Sequence, residues 1–446
     1  MKQILTFLLV ALTTLAAGAL GQETKSAATP CATPVPPSQQ PSAPSGVELK
    51  ASDGTILKAT YFAGAKSGPG VLLLHQSNRT RDSWDGVARQ LAAAGINTLT
   101  LDMRGFGESG GTPPFFKRTD EERAKVRAMW PGDVETAFQY LVSQPGVKRD
   151  VIGVGGAGSF GVIPSVEVAR QHSAEVKSLV LLSGETLQDG LQFLRQASQL
   201  PGLFVVADDD EYPPTVEAME WLYVTSSSPG KKFVHYSAAQ DAPWIWYETS
   251  DASKVPANGG HGTDMFKPHP ELPGIIVDWF VTTLIKTPGH APADALASAA
   301  ILNQLWTSQG VARVKQQLME ARQRDPQVQL WPEVNVDIIG EDHVREGESE
   351  KKAGQVGEAR MQIDTAIEIF KLNLLAYPDS ADAHYNLADA YLKNGQKDLA
   401  RQYAEKALAM IDSHKAPLSS WSDTEQRRAE IRSGVQDTLK ELNAAH

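Results

Sequence analysis

A serine, a run of aspartates and a histidine follow one another in an order that suits nucleophilic catalysis. Ser159 lies in residues 152–161, where an apolar strand pattern runs into a turn of small residues, with Ala157 and Gly161 on either side. Such a strand-to-helix turn presents a serine hydroxyl at the carboxyl edge of a parallel sheet, and its strained backbone requires small neighbours. The segment departs from Gly-x-Ser-x-Gly at Ala157, and close packing alone is the alternative explanation for its glycines.

A serine hydroxyl is a poor nucleophile at neutral pH unless a histidine removes its proton and a carboxylate orients that histidine. The buried-strand pattern of residues 202–206 is followed by three aspartates at 208–210, and His261 lies between two glycines before an apolar helical pattern. The order serine, acid, histidine is the one expected along successive parallel strands. Any of the three aspartates could be the acid, Glu185 is a more remote alternative, and an exposed loop position is the alternative for His261.

Backbone N–H groups that could stabilise a developing oxyanion are predicted on two segments. Where a strand-to-helix turn of a parallel sheet carries the nucleophile, one donor belongs to the residue after the nucleophile and the other to the loop after the third strand. Phe160 follows Ser159, and Gln76 follows the buried-strand pattern of residues 71–75. We therefore predict Gln76 and Phe160 as the oxyanion hole, with an ordinary loop position as the alternative for Gln76.

Three large aromatic residues precede His261 in a connection of unusual length: Trp244, Trp246 and Tyr247. Leaving such rings exposed is unfavourable, so they either cover a sheet edge or line a binding pocket. We interpret them as the wall of an apolar pocket for the acyl or aromatic part of a substrate.

These residues resemble those of α/β-hydrolases, most closely the dienelactone-hydrolase-like and prolyl-oligopeptidase-like serine esterases. The similar segments are 74–76, 101–109, 152–161, 207–210 and 261–264. The resemblance implies Ser159 as nucleophile, Asp210 as acid and His261 as base. Asp210 is selected because the family places its acid three residues after the small residue that ends the strand, here Ala207. Dienelactone hydrolases proper carry a cysteine nucleophile, whereas this chain has a serine.

Strand and helix patterns alternate between residues 47 and 287. Apolar strand runs occur at 70–75, 97–101, 176–182 and 232–236, with helical patterns such as 84–94 and 132–142 between them. Such alternation predicts an α/β fold with a mostly parallel sheet covered by helices on both faces. Ligands bind beyond the carboxyl ends of such strands, where the predicted catalytic residues lie.

The segment from residue 288 to residue 446 has helical periodicity only. Residues 381–395 predict one helix, and Ala400, Ala404 and Ala407 fall where a second helix must approach it closely. The pattern resembles a tetratricopeptide repeat of about 34 residues, with weaker copies upstream. We therefore predict an all-α repeat domain, which is either a brace for the first domain or a docking surface for a protein or peptide partner.

The first 46 residues predict export followed by a tether. Met1 and Lys2 precede an apolar run over residues 4–20, which is typical of a signal peptide of about 22 residues and predicts a periplasmic or secreted protein. A membrane anchor is the alternative, but the run is short for a span. Residues 23–46 are rich in Pro and Ser, as in a flexible linker, and contain Cys31, the single cysteine.

The composition narrows the class of function. The formal charge of −11 argues against nucleic-acid binding, and the His and Cys spacing predicts no metal site. Acyl transfer by a serine, histidine and aspartate needs no cofactor. We predict an exported serine hydrolase that cleaves a small-molecule ester through an acyl-enzyme, with peptide hydrolysis less favoured. The alternative is a hydrolase-fold binding protein whose repeat domain docks a partner.

Overall fold

The computed structural model describes residues 43–77, 79–109, 113–210, 212, 214–237, 259–413 and 425–444. The predicted signal peptide, almost all of the linker and the predicted pocket residues Trp244, Trp246 and Tyr247 therefore lie outside the described residues. No helix in the described ranges combines the length and the apolar composition that crossing a membrane requires.

An eight-stranded sheet forms the first part of the molecule. Its strands are β1 (Ser45–Lys50), β2 (Ile56–Phe62), β3 (Gly68–Leu74), β4 (Asn97–Leu101), β5 (Val147–Ala157), β6 (Val176–Leu182), β7 (Gly202–Ala207) and β8 (Lys231–Tyr236). The spatial order is β1-β2-β4-β3-β5-β6-β7-β8. Strand β2 is antiparallel to both of its neighbours, and β3 to β8 are parallel. This order and these directions confirm the predicted α/β-hydrolase fold.

Helices cover both faces of the sheet, as the alternating pattern predicts. They are α1 (Asp85–Ala93), α2 (Asp120–Ser143), α3 (Gly158–Gln171), α4 (Gln188–Gln196), α5 (Pro214–Thr225) and α6 (Leu272–Phe280). Residues of α2 to α5 are buried in one apolar core and residues of α1 and α6 in the other. Side chains of β3 alternate between the two cores, Leu72 and Leu74 in the first and Val71 and Leu73 in the second. Both faces of the central strands are therefore dry, which explains their unbroken apolar sequence.

Helix α2 begins twelve residues before the helical pattern at 132–142. Thr119 and Glu122 form a reciprocal capping box, in which the Glu122 N–H donates to Thr119 Oγ1 at 3.3 Å and the Thr119 N–H donates to Glu122 Oε2 at 2.8 Å. Such a cap stabilises a helix start. Pro131 lies within the helix and does not end it. The sequence pattern, which began at residue 132, therefore placed the helix start too late.

A helical region follows the sheet. Its helices are α7 (Ala295–Leu302), α8 (Ser308–Arg324), α9 (Glu333–Lys352), α10 (Val356–Ala376), α11 (Ala381–Lys393), α12 (Lys397–Ser413) and α13 (Glu425–Ala444). Ala400, Ala404 and Ala407 are fully buried, as their spacing predicts. Gly340 of α9 lies so close to Phe370 of α10 that an added Cβ would meet the ring at 2.3 Å. Small residues therefore set the close approach of these helices.

The helical region contacts the sheet region through the N-terminus of α7. Asp294 caps this helix by accepting from the backbone N–H groups of Leu296 and Ala297. The hydroxyl of Tyr223, on α5, donates to the same carboxylate at 3.1 Å, and the Asp294 N–H donates to the carbonyl of Pro229 at 3.3 Å. One capping residue therefore links α7 to the segment that precedes β8.

The turn between β5 and α3 depends on close backbone contacts. A Cβ on Gly161 would lie 2.5 Å from the Leu74 carbonyl oxygen, and one on Gly156 would lie 2.2 Å from the Gly161 carbonyl oxygen. Backbone atoms cannot turn aside as a flexible side chain can, so neither position accepts a larger residue without a shift of the strand or the helix. The small residues around the turn are therefore required by packing, independently of any catalytic role.

We predict that Gly161→Ala lowers the free energy of unfolding by about 1–3 kcal/mol, because the added methyl group forces α3 away from β3. Gly132→Ala is the matched control, since a Cβ there meets nothing within 4 Å and Gly within a helix is less favourable than Ala by about 0.5–1 kcal/mol. Urea denaturation followed by circular dichroism measures both variants. Equal stability of the two would contradict the packing argument.

Candidate active site

The predicted catalytic side chains come from the carboxyl ends of different strands. Ser159 is the second residue of α3, directly after β5. Asp210 lies three residues after the end of β7, in a turn closed by its own N–H donating to the Ala207 carbonyl at 3.1 Å. His261 is the N-cap of the 3-10 turn Gly262–Phe266. All three therefore lie at the edge where an α/β sheet binds its ligands.

A buried hydrogen bond joins His261 to Asp210. The ring Nδ1 lies 3.0 Å from Asp210 Oδ1 and 3.2 Å from Oδ2, and the two side chains are 6% and 0% exposed. The carboxylate is fixed in turn by the Tyr212 N–H, which donates to Oδ1 at 2.8 Å. Of the two neighbouring aspartates, Asp208 pairs with His235 instead, and burial raises the pKa of Asp209. The geometry thus selects among the three carboxylates that the sequence left open before the family resemblance was used.

The segment that carries His261 is held by several polar contacts. Gln76 donates from Nε2 to the His261 carbonyl at 3.0 Å, and its Oε1 accepts from the N–H and the hydroxyl of Thr263 at 3.0 and 2.8 Å. The hydroxyl of Ser183 donates to the Gly260 carbonyl at 3.3 Å. Ser183 has φ +48°, and it is the one non-glycine residue with positive φ among those described. The side chain of Gln76 therefore anchors this segment, while its predicted role in the oxyanion hole stays a prediction.

A buried ion pair continues this anchoring. Arg79 donates from Nε and Nη2 to the two carboxylate oxygens of Asp264 at 2.7 and 2.6 Å. The side chains are 1% and 4% exposed. A planar two-bond pair of this kind fixes orientation as well as distance. It therefore ties the turn after His261 to the loop after β3.

The strained position of the β5–α3 turn is Gly158. Its φ is +59°, whereas Ser159 does not have a positive φ. A Cβ built on Gly158 would lie 3.0 Å from His261 Nε2 and 2.6 Å from the Cβ of Gln76. The strain of this turn therefore falls on a glycine, which adopts positive φ at little cost. Ser159 belongs to the first turn of the helix and is partly exposed.

Two neighbouring cavities open at this edge. One, of about 310 Å³, is lined by Ser77, Ser159, Phe160, Tyr212 and His261 among others. The second, of about 760 Å³, lies between α2, α3 and the start of α4, and its apolar lining includes Trp130, Phe160, Ile163 and Leu187. Phe160 contributes to both cavities and packs on Trp130 with ring centroids 4.8 Å apart. A cavity that the histidine lines therefore adjoins an apolar groove.

The groove was not found by the sequence analysis, which assigned the substrate pocket to residues outside the described ranges. Trp130 lies in α2, but the sequence pattern placed the start of that helix after Trp130. Its position beside Phe160 could therefore not be predicted. An available signal was Phe115 with Phe116, since the ring of Phe115 packs on both Trp130 and Phe160, which line the groove. The two phenylalanines in the connection before α2 were therefore the sequence feature that indicated an aromatic cluster beside this groove.

His75, the other histidine close to the site, has a structural role. Its Nδ1 lies 2.7 Å from the Gln76 carbonyl, and its Nε2 accepts from the Met103 N–H at 3.0 Å. Complete burial lowers the pKa of His75, so the neutral ring that these contacts require is favoured. Within the described ranges, no three His, Cys, Asp or Glu side chains come together as a metal site would require.

The N-terminus of α3 faces the same edge. The N–H groups of its first three residues, 158–160, have no acceptor within the helix. Together with the helix dipole they favour negative charge nearby. The predicted donor Phe160 belongs to this set, and so does Ser159, which directly follows the strained residue. The helix end can therefore stabilise an oxyanion, while the assignment to one N–H stays a prediction.

Comparison with known proteins gives similarity over parts of the chain. A tetratricopeptide repeat model matches residues 343–413, which run from α9 to the end of α12. The predicted repeat is thereby confirmed. The thiohydrolase aneE of Aspergillus aculeatus is 29% identical over 120 residues, which are 26% of this chain and 35% of that protein. The match thus spans about a third of that relative's length.

Solved structures of similar fold include three hydrolases. An esterase from Pyrococcus furiosus, Pf2001, is 16% identical and covers 54% of this chain and 90% of its own, with a TM-score of 0.38. A dienelactone hydrolase from Anabaena variabilis is 18% identical and covers 55% and 99%, with a TM-score of 0.39. A dienelactone hydrolase-like promiscuous phosphotriesterase, P91, from metagenomic libraries is 19% identical and covers 55% and 100%, with a TM-score of 0.38. The α/β-hydrolase fold of the present chain is assigned from its own strand order.

We predict that Arg79→Met lowers the free energy of unfolding by about 3–5 kcal/mol, because it leaves the Asp264 carboxylate buried without its cation. The double variant Arg79→Met/Asp264→Leu should recover most of this loss, since it removes both charges. Urea denaturation of the two variants and the wild type measures the difference. A double variant that is no more stable than Arg79→Met would contradict the role given to the ion pair.

Proposed function

We propose that this chain hydrolyses carboxylic esters or thioesters, with His261 as the general base and Asp210 as the acid that orients it. The observation that carries the proposal is the buried bond of 3.0 Å between the ring Nδ1 and the Asp210 carboxylate, beside a cavity of about 310 Å³. Donation of the Nδ1 proton to Asp210 leaves the lone pair of the neutral ring on Nε2. That nitrogen can then remove a proton from an attacking oxygen.

The attacking oxygen has two candidates in this proposal. The first is the hydroxyl of Ser159, predicted from the sequence, which would form an acyl-enzyme that water then hydrolyses. The second is a water molecule that attacks the substrate directly. In either case N–H groups at the start of α3, with that of Gln76, would stabilise the tetrahedral oxyanion. No step requires a cofactor.

The apolar groove supports a substrate with a bulky hydrocarbon or aromatic part. Its volume of about 760 Å³ is in the range of small-molecule sites, and Trp130 and Ile163 provide apolar contacts. Thioesters enter the proposal because a partial relative is named a thiohydrolase. Amides are disfavoured, since their leaving group is poorer than an alcohol or a thiol.

Ligand binding without turnover is the second candidate function. It is favoured by the glycine at the strained position of the elbow, where a covalent nucleophile would be expected in an active hydrolase. In this case the repeat region would provide the binding surface, and its partner would be a protein or a peptide. Turnover by the wild type distinguishes the two functions.

We predict that Asp210→Asn lowers kcat for p-nitrophenyl esters or the matching thioesters by about 10⁴-fold, because the amide no longer fixes the imidazole tautomer. Asp208→Asn is the matched control and should stay within about threefold of wild type, since Asp208 contacts His235 and not His261. Steady-state kinetics over acyl chains of increasing length measures both. Equal losses in the two variants would contradict the assignment of the acid.

We also propose export, on the strength of the basic start and the apolar run over residues 4–20. Expressed with its full N-terminus in a Gram-negative host, the chain should reach the periplasm with a new N-terminus between Ala17 and Gln22. Peptide mass mapping of that fraction measures this directly. Leu8→Asp/Leu9→Asp breaks the apolar run and should leave the chain uncleaved in the cytoplasm. Retention of Met1 on the wild-type chain would contradict the proposal.

A further inference from the structure

We infer that Gly158 occupies the place from which a nucleophilic side chain would address His261, and that the substrate is instead attacked directly by water. The inference rests on the proposed hydrolase function and specifies its attacking group. It assigns to the elbow a glycine that the sequence alone presents as one of several packing residues.

Backbone geometry identifies the position. A nucleophile elbow places its reactive residue in a strained conformation between the strand and the helix. Here that residue is Gly158, with φ +59°, directly after the end of β5. The built Cβ lies 3.0 Å from His261 Nε2, so a side chain at residue 158 would point at the base. Ser159 follows in the helix, where each residue is rotated by about 100° from the last, so its side chain has a different direction.

A neighbouring side chain excludes any substituent at this position. The Cβ of Gln76 lies 2.6 Å from the Cβ built on Gly158, which is closer than non-bonded carbon atoms approach in proteins. Gln76 is fully buried and fixed by its bonds to the His261 carbonyl and to Thr263. It therefore cannot turn aside as a flexible chain end would. The residue that anchors the base also prevents a covalent nucleophile at residue 158.

The pair formed by the base, His261, and the acid, Asp210, is nevertheless fully hydrogen-bonded. Burying the Asp210 carboxylate is unfavourable unless its oxygens are bonded, and here they contact the imidazole and the Tyr212 N–H. The same contacts fix the tautomer with Nε2 as the accepting nitrogen. A histidine prepared in this way suits deprotonation of water in the adjoining cavity, which Ser77 and Tyr212 also line.

The reaction then passes through one tetrahedral intermediate and no acyl-enzyme. The water oxygen forms a bond to the acyl carbon while His261 Nε2 takes one of its protons, and negative charge develops on the carbonyl oxygen near the start of α3. Collapse of the tetrahedral intermediate breaks the acyl C–O or C–S bond, and the imidazolium returns the proton to the leaving alcohol or thiol. The products are the acid and the alcohol or thiol, and no bond to the protein is formed.

Covalent labelling tests the position. Wild type and variants are treated with a fluorophosphonate, and any adduct is mapped by peptide mass spectrometry. Gly158→Ser/Gln76→Gly removes the obstructing Cβ and should gain an adduct on residue 158, at least about tenfold above the wild-type level. Gly158→Ser/Gln76→Ala lacks the same amide but keeps the Cβ, so it should stay at the wild-type level. Circular dichroism establishes that each variant is folded.

The wild type provides a second test that depends on no variant. In rapid-quench experiments with an activated ester, we expect product without a burst and no acyl mass on the protein. An acyl or fluorophosphonate adduct on Ser159 of the wild type would overturn the inference. No ester or thioester hydrolysis by the wild type, together with an adduct on residue 158 of the Gly158→Ser/Gln76→Gly variant, would reject both the proposed function and water attack. Hydrolysis with an adduct on Ser159 would retain the function and reject the inference alone.

Discussion

The bond between His261 and Asp210 is the interaction on which the arrangement of the site depends. It crosses from the turn after β7 to the segment that follows β8, and both partners are buried. A buried carboxylate is tolerated only when its oxygens are bonded, so loss of the imidazole contact would leave a charge in an apolar setting. The contacts of Gln76 and the Arg79–Asp264 pair keep the histidine segment where this bond can form. The anchoring contacts and the base are thus one connected polar network.

That network imposes a constraint on the elbow. Gln76 approaches Gly158 so closely that the two residues exclude a side chain between them, although the built Cβ points at the base. A serine esterase needs space at this point, because its nucleophile must reach the imidazole. In the present chain that space is limited by the residue that fixes the histidine segment. Firm anchoring of the base and covalent catalysis at residue 158 are therefore incompatible here, and this incompatibility is the reason for which we infer water as the attacking group.

Much of the architecture was predictable because each element carries a local signal. Buried parallel strands appear as unbroken apolar runs, and the alanines of α12 recur at helical spacing. The register of the elbow was not predictable in the same way. Ser159 was predicted as the nucleophile because its hydroxyl can attack a carbonyl, whereas the residue with positive φ in the turn is Gly158. Only the position of that backbone relative to His261, which lies about a hundred residues later in the chain, distinguishes the two.

The apolar groove shows a second limit. Its walls come from α2, α3 and the start of α4, and its position follows from how these helices pack, which no local pattern encodes. The capping box of Thr119 and Glu122 was a readable signal for the start of α2, and it would have placed Trp130 within a helix. Local chemistry therefore predicts where helices begin, while the shape of the site depends on contacts between distant segments.

A crystal structure at high resolution is the decisive measurement for the elbow. We expect positive φ at Gly158, with His261 Nε2 facing its Cα and Nδ1 bonded to Asp210. Positive φ at Ser159, with its Oγ within about 3 Å of His261 Nε2, would contradict this expectation and restore a covalent serine mechanism.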